Sequence, residues 1–238
     1  MARKARFNLI GIPQHIVQRG HNRGPCFFAE NDYLVYLDSL TECAYRSECE
    51  IHAYALMANH AHLLVTPHAA HSIPTLMQGL GRQYVRYINQ EYRRSGTLWQ
   101  GRYKACLVES EEFVLACGRY IELNPVRVAA VKNSADYRWS SYRHNALGAA
   151  TLVIRPHQQY LELGSTAAAR QSAYCDLFRQ PLDNTLLYKI RAALNQELIL
   201  GTEKFKNDIE RLLAREVRPR KVGRPQQQNK HYSDPSFV

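Results

Sequence analysis

The sequence predicts an α+β fold: a ferredoxin-like split βαβ sandwich, in which an antiparallel four-stranded sheet carries helices on one face. A helical C-terminal extension and a basic tail follow. Three observations predict it. Segments of period two and period 3.6 follow one another in the order β-α-β-β-α-β-α over about residues 8–130. The two central strands are separated by Ala58-Asn59 alone, a hairpin-length step in which Asn tolerates positive φ. Hydrophobic residues make up 45% of the 238, enough for a real core.

The elements follow in order. His15-Ile-Val-Gln-Arg19 alternates and stops at Gly20, as a short first strand does. Residues 31–47 place Tyr33, Leu34, Tyr36, Leu37, Leu40 and Cys43 at helical spacing, with Asn31 as the cap. Residues 50–57 and 60–66 form the hairpin, with Met57 opposite His60, Ala55 opposite His62 and Ala53 opposite Leu64. Ser72 caps a second helix running to about residue 93. Its apolar stripe is Ile73, Leu76, Met77, Leu80, Tyr84, Tyr87 and Ile88. Residues 101–109 read as the fourth strand. Ser110 caps a third helix, with Glu111 and Glu112 in the first turn where the helix dipole favours them. That helix must end near Asn124, because Pro125 disfavours helical geometry just before it. Residues 182–195 and 202–214 read as two short helices around Leu200-Gly201, and from Arg215 the chain is polar, basic and proline-bearing. The predicted boundaries are a domain at 1–148, a helical extension at 149–214 that is a candidate DNA-contacting module, and a flexible tail at 215–238.

Thirty-one Lys and Arg against 21 Asp and Glu give a net charge of +10, which points to a polyanionic partner. Six cysteines without CxxC spacing argue against a zinc ribbon or a disulfide framework. Cys43, Cys106 and Cys117 sit among apolar neighbours, as buried free thiols do. The opening Met-Ala-Arg-Lys-Ala-Arg-Phe lacks a signal-peptide core, and no apolar run approaches the ~18 residues of a membrane span. The expectation is a cytoplasmic, reduced protein with no membrane partner.

Chemistry concentrates in two places. His60-Ala61-His62 lies in an apolar, β-branched strand, so both imidazoles face one side and can offer nitrogens to one divalent metal. The small residues opposite, Ala53 and Ala55, leave room above the sheet, while His52 falls on the other face and is structural. On the third helix Tyr120 and Asn124 are four apart and share a face, whereas Glu122 points elsewhere. A tyrosine is a poor nucleophile until its charge is stabilised, and a metal polarising a phosphate could assist it. Asn124 could supply an oxygen as third ligand. Taken alone, Tyr120 reads equally as a core residue.

A basic face follows. Arg82, Arg86, Asn89 and Arg93 lie opposite the apolar stripe of the second helix, either as a solvated face or as phosphate contacts. Trp99 and Tyr103 interleave with Arg102 and Lys104, the pattern of single-strand binding, although core packing competes for Trp99. The tail holds Arg220-Lys221-Val-Gly-Arg224-Pro, which resembles an AT-hook able to reach a narrow minor groove, or is simply a disordered basic end.

These motifs resemble the single-tyrosine HUH transposases, in particular the REP-associated tyrosine transposase branch of the IS200-like family. His60-Ala61-His62 is similar to the His-hydrophobic-His motif, and Tyr120-Ile-Glu-Leu-Asn-Pro-Val-Arg127 to the nucleophile helix. Leu98-Trp-Gln-Gly-Arg-Tyr103 and Trp139-Ser-Ser-Tyr142 also look like family blocks; the likeness spans roughly residues 8–145. The middle residue is often larger than Ala61. The resemblance implies Tyr120 as nucleophile, and His60, His62 and Asn124 as ligands of Mg²⁺ or Mn²⁺. It implies a bacterial enzyme that nicks and rejoins single-stranded, hairpin-forming DNA such as repetitive extragenic palindromes, through a 5′-phosphotyrosine intermediate. A hairpin-binding protein that no longer cuts is the alternative. Both monomers and homodimers fit the resemblance.

Overall fold

The computed structural model describes residues 6–218. A central sheet is built from β1 (Gln14–Arg19), β2 (Cys49–Met57), β3 (His60–Pro67), β4 (Lys104–Val108) and β5 (Ile199–Leu200), in the order β2-β3-β1-β4-β5. The first four strands are antiparallel and in the predicted split βαβ order; β5 joins parallel to β4. The hairpin register is as expected, with Met57 opposite His60, Ala55 opposite His62 and Ala53 opposite Leu64.

Helices cover both faces, not one. α1 (Glu30–Arg46) and α2 (Ser72–Glu91) pack on the face formed by Ile16, Ile51, Leu56, Ala61, Leu63 and Val65. The opposite face holds Val17, Ala53, Ala55 and Leu64, and is covered by α3 (Ser110–Glu122) and α8 (Asn184–Gln196). The stripe of α3 is Val114, Cys117, Gly118 and Ile121, an i, i+3, i+4, i+7 pattern that buries one side of the helix. Such a stripe tells which side of a helix is buried, but not which side of the sheet receives it. After α3 the chain makes one more helical turn, α4 (Asn124–Arg127), with Pro125 near its start, where a missing N–H costs nothing.

The helical extension is present. It comprises α6 (Gln158–Leu161), α7 (Ala167–Arg179), α8 and α9 (Glu203–Leu213), and follows α5 (Tyr142–Leu147), the last helix before residue 149. It is tied to the sheet by β5 and by Glu109, whose carboxylate accepts from the Thr202 amide at 2.6 Å and the Thr202 hydroxyl at 3.0 Å. The outer edge of β2 is covered by residues 139–141 and 154–155: Leu56 N–H donates to Trp139 O at 2.8 Å, and Arg155 N–H to Ile51 O at 2.8 Å. Covering that edge removes a template for pairing with another chain. Among the described residues no helix is long and apolar enough to cross a membrane.

Candidate active site

The strands place the histidines. Alternation along β3 sends Ala61, Leu63 and Val65 under α1 and α2, and His60, His62 and Leu64 towards α3. In the neighbouring strand Arg19 pairs with His60, Val17 with His62, and His15 with Leu64. Across β1, Val17 and His15 pair in turn with Lys104 and Cys106 of β4.

Three imidazoles therefore gather on one face. The His60 and His62 ring centroids are 5.0 Å apart, and those of His15 and His62 are 5.1 Å apart. His60 Nδ1 lies 2.6 Å from Asn59 Oδ1, an acceptor only, so the His60 proton is on Nδ1 and Nε2 is bare. His62 Nδ1 lies 2.8 Å from His15 Nε2, and His62 Nε2 lies 2.7 Å from the amide nitrogen of Asn124. Burial, with Arg127 nearby, pushes the His15 pKa down to about 3. Burial, with Arg19 nearby, pushes His60 down to about 4. His62 falls well below the ordinary histidine value through burial and the neighbouring His15, His60 and cations. All three rings are neutral at pH 7, the form in which imidazole ligates a metal.

α3 lies directly above this row. Ala53 and Ala55, buried beneath the helix, do not leave open space for a metal and a phosphate as expected. They let α3 approach the sheet instead. Gly118 serves the same approach: a Cβ there would sit 3.9 Å from the Ala53 Cβ and 3.3 Å from the Tyr174 hydroxyl. The result brings Tyr120 over the histidines, with ring centroids 5.7 Å from His15 and 6.2 Å from His62. Arg127 stacks its guanidinium on the Tyr120 ring at 3.9 Å and donates to the Tyr120 carbonyl at 2.8 Å. No hydrogen bond holds the Tyr120 hydroxyl among the described residues. Tyr120, His60, His62 and Asn124 thus come together as the sequence predicts.

The donor set suits a cation: two bare-capable imidazole nitrogens and one amide. Asn124 would ligate through oxygen only after its amide turns over, since its nitrogen now faces His62. Among the described residues no group of three or more His, Cys, Asp or Glu side chains is placed to hold a metal ion.

Glu122 is fully buried on the far side of α3. Its carboxyl accepts from Ser141 Oγ at 2.5 Å, Asn145 Nδ2 at 2.8 Å and Tyr174 OH at 2.9 Å. Burial raises its pKa to about 7 despite those three donors. The network bolts the tyrosine helix to α5 and α7.

Two expectations are corrected by packing. A bulge between Ile51 and Ala53 turns His52 onto the α3 face, where its Nε2 lies 2.8 Å from Thr66 Oγ1 and its Nδ1 2.7 Å from Arg155 O. It is structural, as expected, but not on the expected face. Trp99 is only 6% exposed and stacks on Tyr84 at 5.9 Å between centroids, so its ring belongs to the core and is not presented to a base. Tyr103 is likewise buried, with the Arg6 guanidinium 3.7 Å over its ring.

The basic residues divide. Arg82, Arg86 and Arg93 are exposed on or just beyond α2, which covers the sheet face opposite the histidines. Asn89 closes the following turn by donating to Gly96 O at 3.0 Å. Arg102 is exposed beside Tyr103. Lys104 is the predicted cation that reaches the histidine face, where its Nζ meets Asn195 of α8 at 3.3 Å. Arg220, Lys221 and Arg224 lie outside the described residues. Sequence reasoning missed His15, Arg19, Arg127 and Arg191, the last an exposed residue of α8 whose charge helps lower the Arg127 pKa. Arg127 follows Tyr120 by seven residues, two helical turns, and that spacing was the available signal.

Comparison with known proteins adds a family. The family described as Transposase IS200 like matches residues 9–124. A solved structure of a REP-associated tyrosine transposase bound to a REP hairpin superposes with a TM-score of 0.55 at 16% identity, covering 66% of this chain and 93% of that one. At that identity the likeness is one of fold. A crystal structure of a candidate transposase from Deinococcus radiodurans R1 matches 51% of this chain and 96% of its own at 23% identity, with a TM-score of 0.36. No curated protein matches the chain.

Proposed function

We propose, from the premise that residues 9–124 belong to the IS200-like transposase family, that this chain is a metal-dependent endonuclease and strand transferase for single-stranded DNA. Its substrate is a hairpin-forming repeat, like the REP hairpin bound in the structural neighbour. It works in the cytoplasm. The observation that carries the proposal is Tyr120 above the histidine row, its ring 6.2 Å from His62 and capped by Arg127 at 3.9 Å.

In the proposed reaction the Tyr120 oxygen attacks phosphorus, the bond from phosphorus to the 3′ oxygen breaks, and the phosphate stays on the tyrosine with the 5′ end. Tyr120 loses its proton and the departing 3′ oxygen gains one. One phosphodiester is exchanged for another, so a second 3′ hydroxyl can rejoin the strand without ATP. Arg127 keeps positive charge against the ring that becomes the phenolate. His60, His62 and Asn124 would hold Mg²⁺ or Mn²⁺, which when bound polarises the scissile phosphate and stabilises the leaving oxygen. Arg19, Lys104, Arg127 and Arg191 would draw the DNA backbone to this face. The extension and tail are proposed as further DNA contacts.

A single-stranded palindromic oligonucleotide labelled at its 3′ end tests this on a denaturing gel. The expected result is a covalent protein–DNA band that requires Mg²⁺ or Mn²⁺ and disappears with EDTA. Tyr120→Phe should lower adduct formation on the order of a thousandfold or more, with DNA affinity almost unchanged. An adduct that survives in Tyr120→Phe would move the nucleophile elsewhere. Tight binding without a band, across several hairpins and both metals, would favour a protein that binds and does not cut.

A further inference from the structure

His15 has no part in the site as assembled from the motifs, yet it is wholly buried and its Nε2 is 2.8 Å from His62 Nδ1. Its own Nδ1 is buried with no hydrogen-bond partner. With that atom free of partners, the protons of the row can be counted from its other end. The Asn124 amide nitrogen, 2.7 Å from His62 Nε2, can only donate. His62 Nε2 therefore accepts and carries no proton. A neutral His62 must then hold its proton on Nδ1 and donate it to His15 Nε2. A neutral His15 is left with its proton on Nδ1, the atom that has no partner. The direction of the hydrogen bonds along the row is set at its other end, by the Asn124 amide nitrogen that donates to His62 Nε2.

We infer that His15 is a positioning residue that fixes His62 in the Nδ1–H tautomer, so that the Nε2 lone pair is aimed at Asn124 and the place a cation would take. The inference rests on the proposed role of His62 as a ligand. A metal-ligating histidine is commonly oriented by an acceptor on its other nitrogen. A neutral histidine in that post is unusual, and the backbone explains it. His15 is on β1, beside β3, and pairs with Leu64, one step diagonally from His62. It accepts without adding a charge to a buried face that already adjoins Arg127.

The full chain with ¹⁵N-labelled histidine, studied at pH 7 by long-range ¹H–¹⁵N NMR, reads the tautomer directly. The His62 signals are assigned by their loss in His62→Gln. The expected result is His62 with Nδ1 protonated and Nε2 bare in the metal-free protein. His15→Gln puts an amide oxygen near the position of Nε2 and should preserve that tautomer. His15→Asn, of similar polarity but reaching only the position of Nδ1, should convert His62 to a mixture or to the Nε2–H form. Dispersed spectra of both variants report that they fold. A His62 protonated on Nε2 in the parent protein, or a tautomer unchanged in a folded His15→Asn, overturns the inference. Mn²⁺ titration of the same samples separates the two claims. His15→Asn should bind Mn²⁺ about 10- to 100-fold more weakly than the parent, and His15→Gln nearly as well. A parent with the expected tautomer and no Mn²⁺ binding would leave the His15 assignment standing and remove the metal from the proposed function.

Discussion

The two faces of the sheet are built on different terms. Under α1 and α2 the interior is aliphatic and aromatic: Tyr36 and Tyr84 meet edge to face at 5.0 Å, with Leu40, Leu76 and Leu80 around them. Under α3 the interior includes His15, His62, Glu122, Asn124 and Asn145, all buried. Both faces share the same strands, and β3 feeds them alternately. The first face gains stability by removing apolar surface from water. Each face leaves a buried polar atom unpaired among the described residues, Tyr36 OH and Trp99 Nε1 on the first and His15 Nδ1 on the second. The second also holds neutral imidazoles and the buried Glu122 carboxyl, groups whose desolvation opposes folding. The difference teaches that one half of the sandwich can support the other, which gathers costly buried polar groups at the candidate site.

The comparison can be broken most forcefully on the apolar face. Leu80→Ala should lower unfolding free energy by about 2–5 kcal/mol, measured by urea denaturation. Adduct formation by the remaining folded protein should be unchanged at a temperature where the variant is fully folded. A matching fall in the activity of folded protein would mean that the two faces are not separable.

The polar face should declare itself through pH. His15 and His52 have folded pKa values near 3 and 4, below the ordinary histidine value of 6.5, chiefly because they are buried. Below pH 6.5 the unfolded chain takes up protons that the folded protein refuses. Their contribution is therefore complete above pH 6.5 and is lost as pH falls towards 4, at about 1.4 kcal/mol per pH unit for each group. Glu122 runs the other way. Its folded pKa is raised from 4.5 to about 7, so it contributes stability at low pH and loses it between pH 4.5 and 7. The histidines outnumber it, so stability should fall on acidification through that window. Glu122→Gln should steepen the fall by about 1.4 kcal/mol per pH unit. A denaturation midpoint flat between pH 7 and pH 4.5 in both proteins would contradict the electrostatic picture of this face.

The smallest effect is expected where the sequence suggested a DNA contact. Were Trp99 to stack on a base, its removal would cost binding about 1–3 kcal/mol. Because the ring is packed on Tyr84 in the apolar core, Trp99→Leu should destabilise the fold and leave the single-strand affinity of folded protein unchanged in a fluorescence-anisotropy titration. An affinity loss of tenfold or more would return Trp99 to the DNA.

What the sequence disclosed follows the range of the interactions involved. The hairpin at Ala58-Asn59 fixes its register through a two-residue loop, so Met57, Ala55 and Ala53 could be paired with His60, His62 and Leu64 from local information. Tyr120 and Asn124 share a helical face by spacing alone. His15 was invisible as a site residue because only the pairing of β1 with β3, across 47 positions, sets it beside His62. Strict alternation puts His52 on the wrong face because it does not foresee the bulge next to it. β5 is two apolar residues, too few to show a period, and its partner strand is 92 positions earlier, counting Leu107 to Ile199. Trp99 misled because interleaved aromatic and basic residues look alike whether the aromatics face a base or a core.

The most direct test of the central claim is to digest the covalent protein–DNA complex with trypsin and nuclease and locate the remaining nucleotide by mass spectrometry. The expected result is a single 5′-phosphonucleotide on the peptide bearing Tyr120, at its phenolic oxygen. A nucleotide on any other residue, such as Tyr142 or Tyr87, would contradict the assignment of the α3 face as the catalytic one.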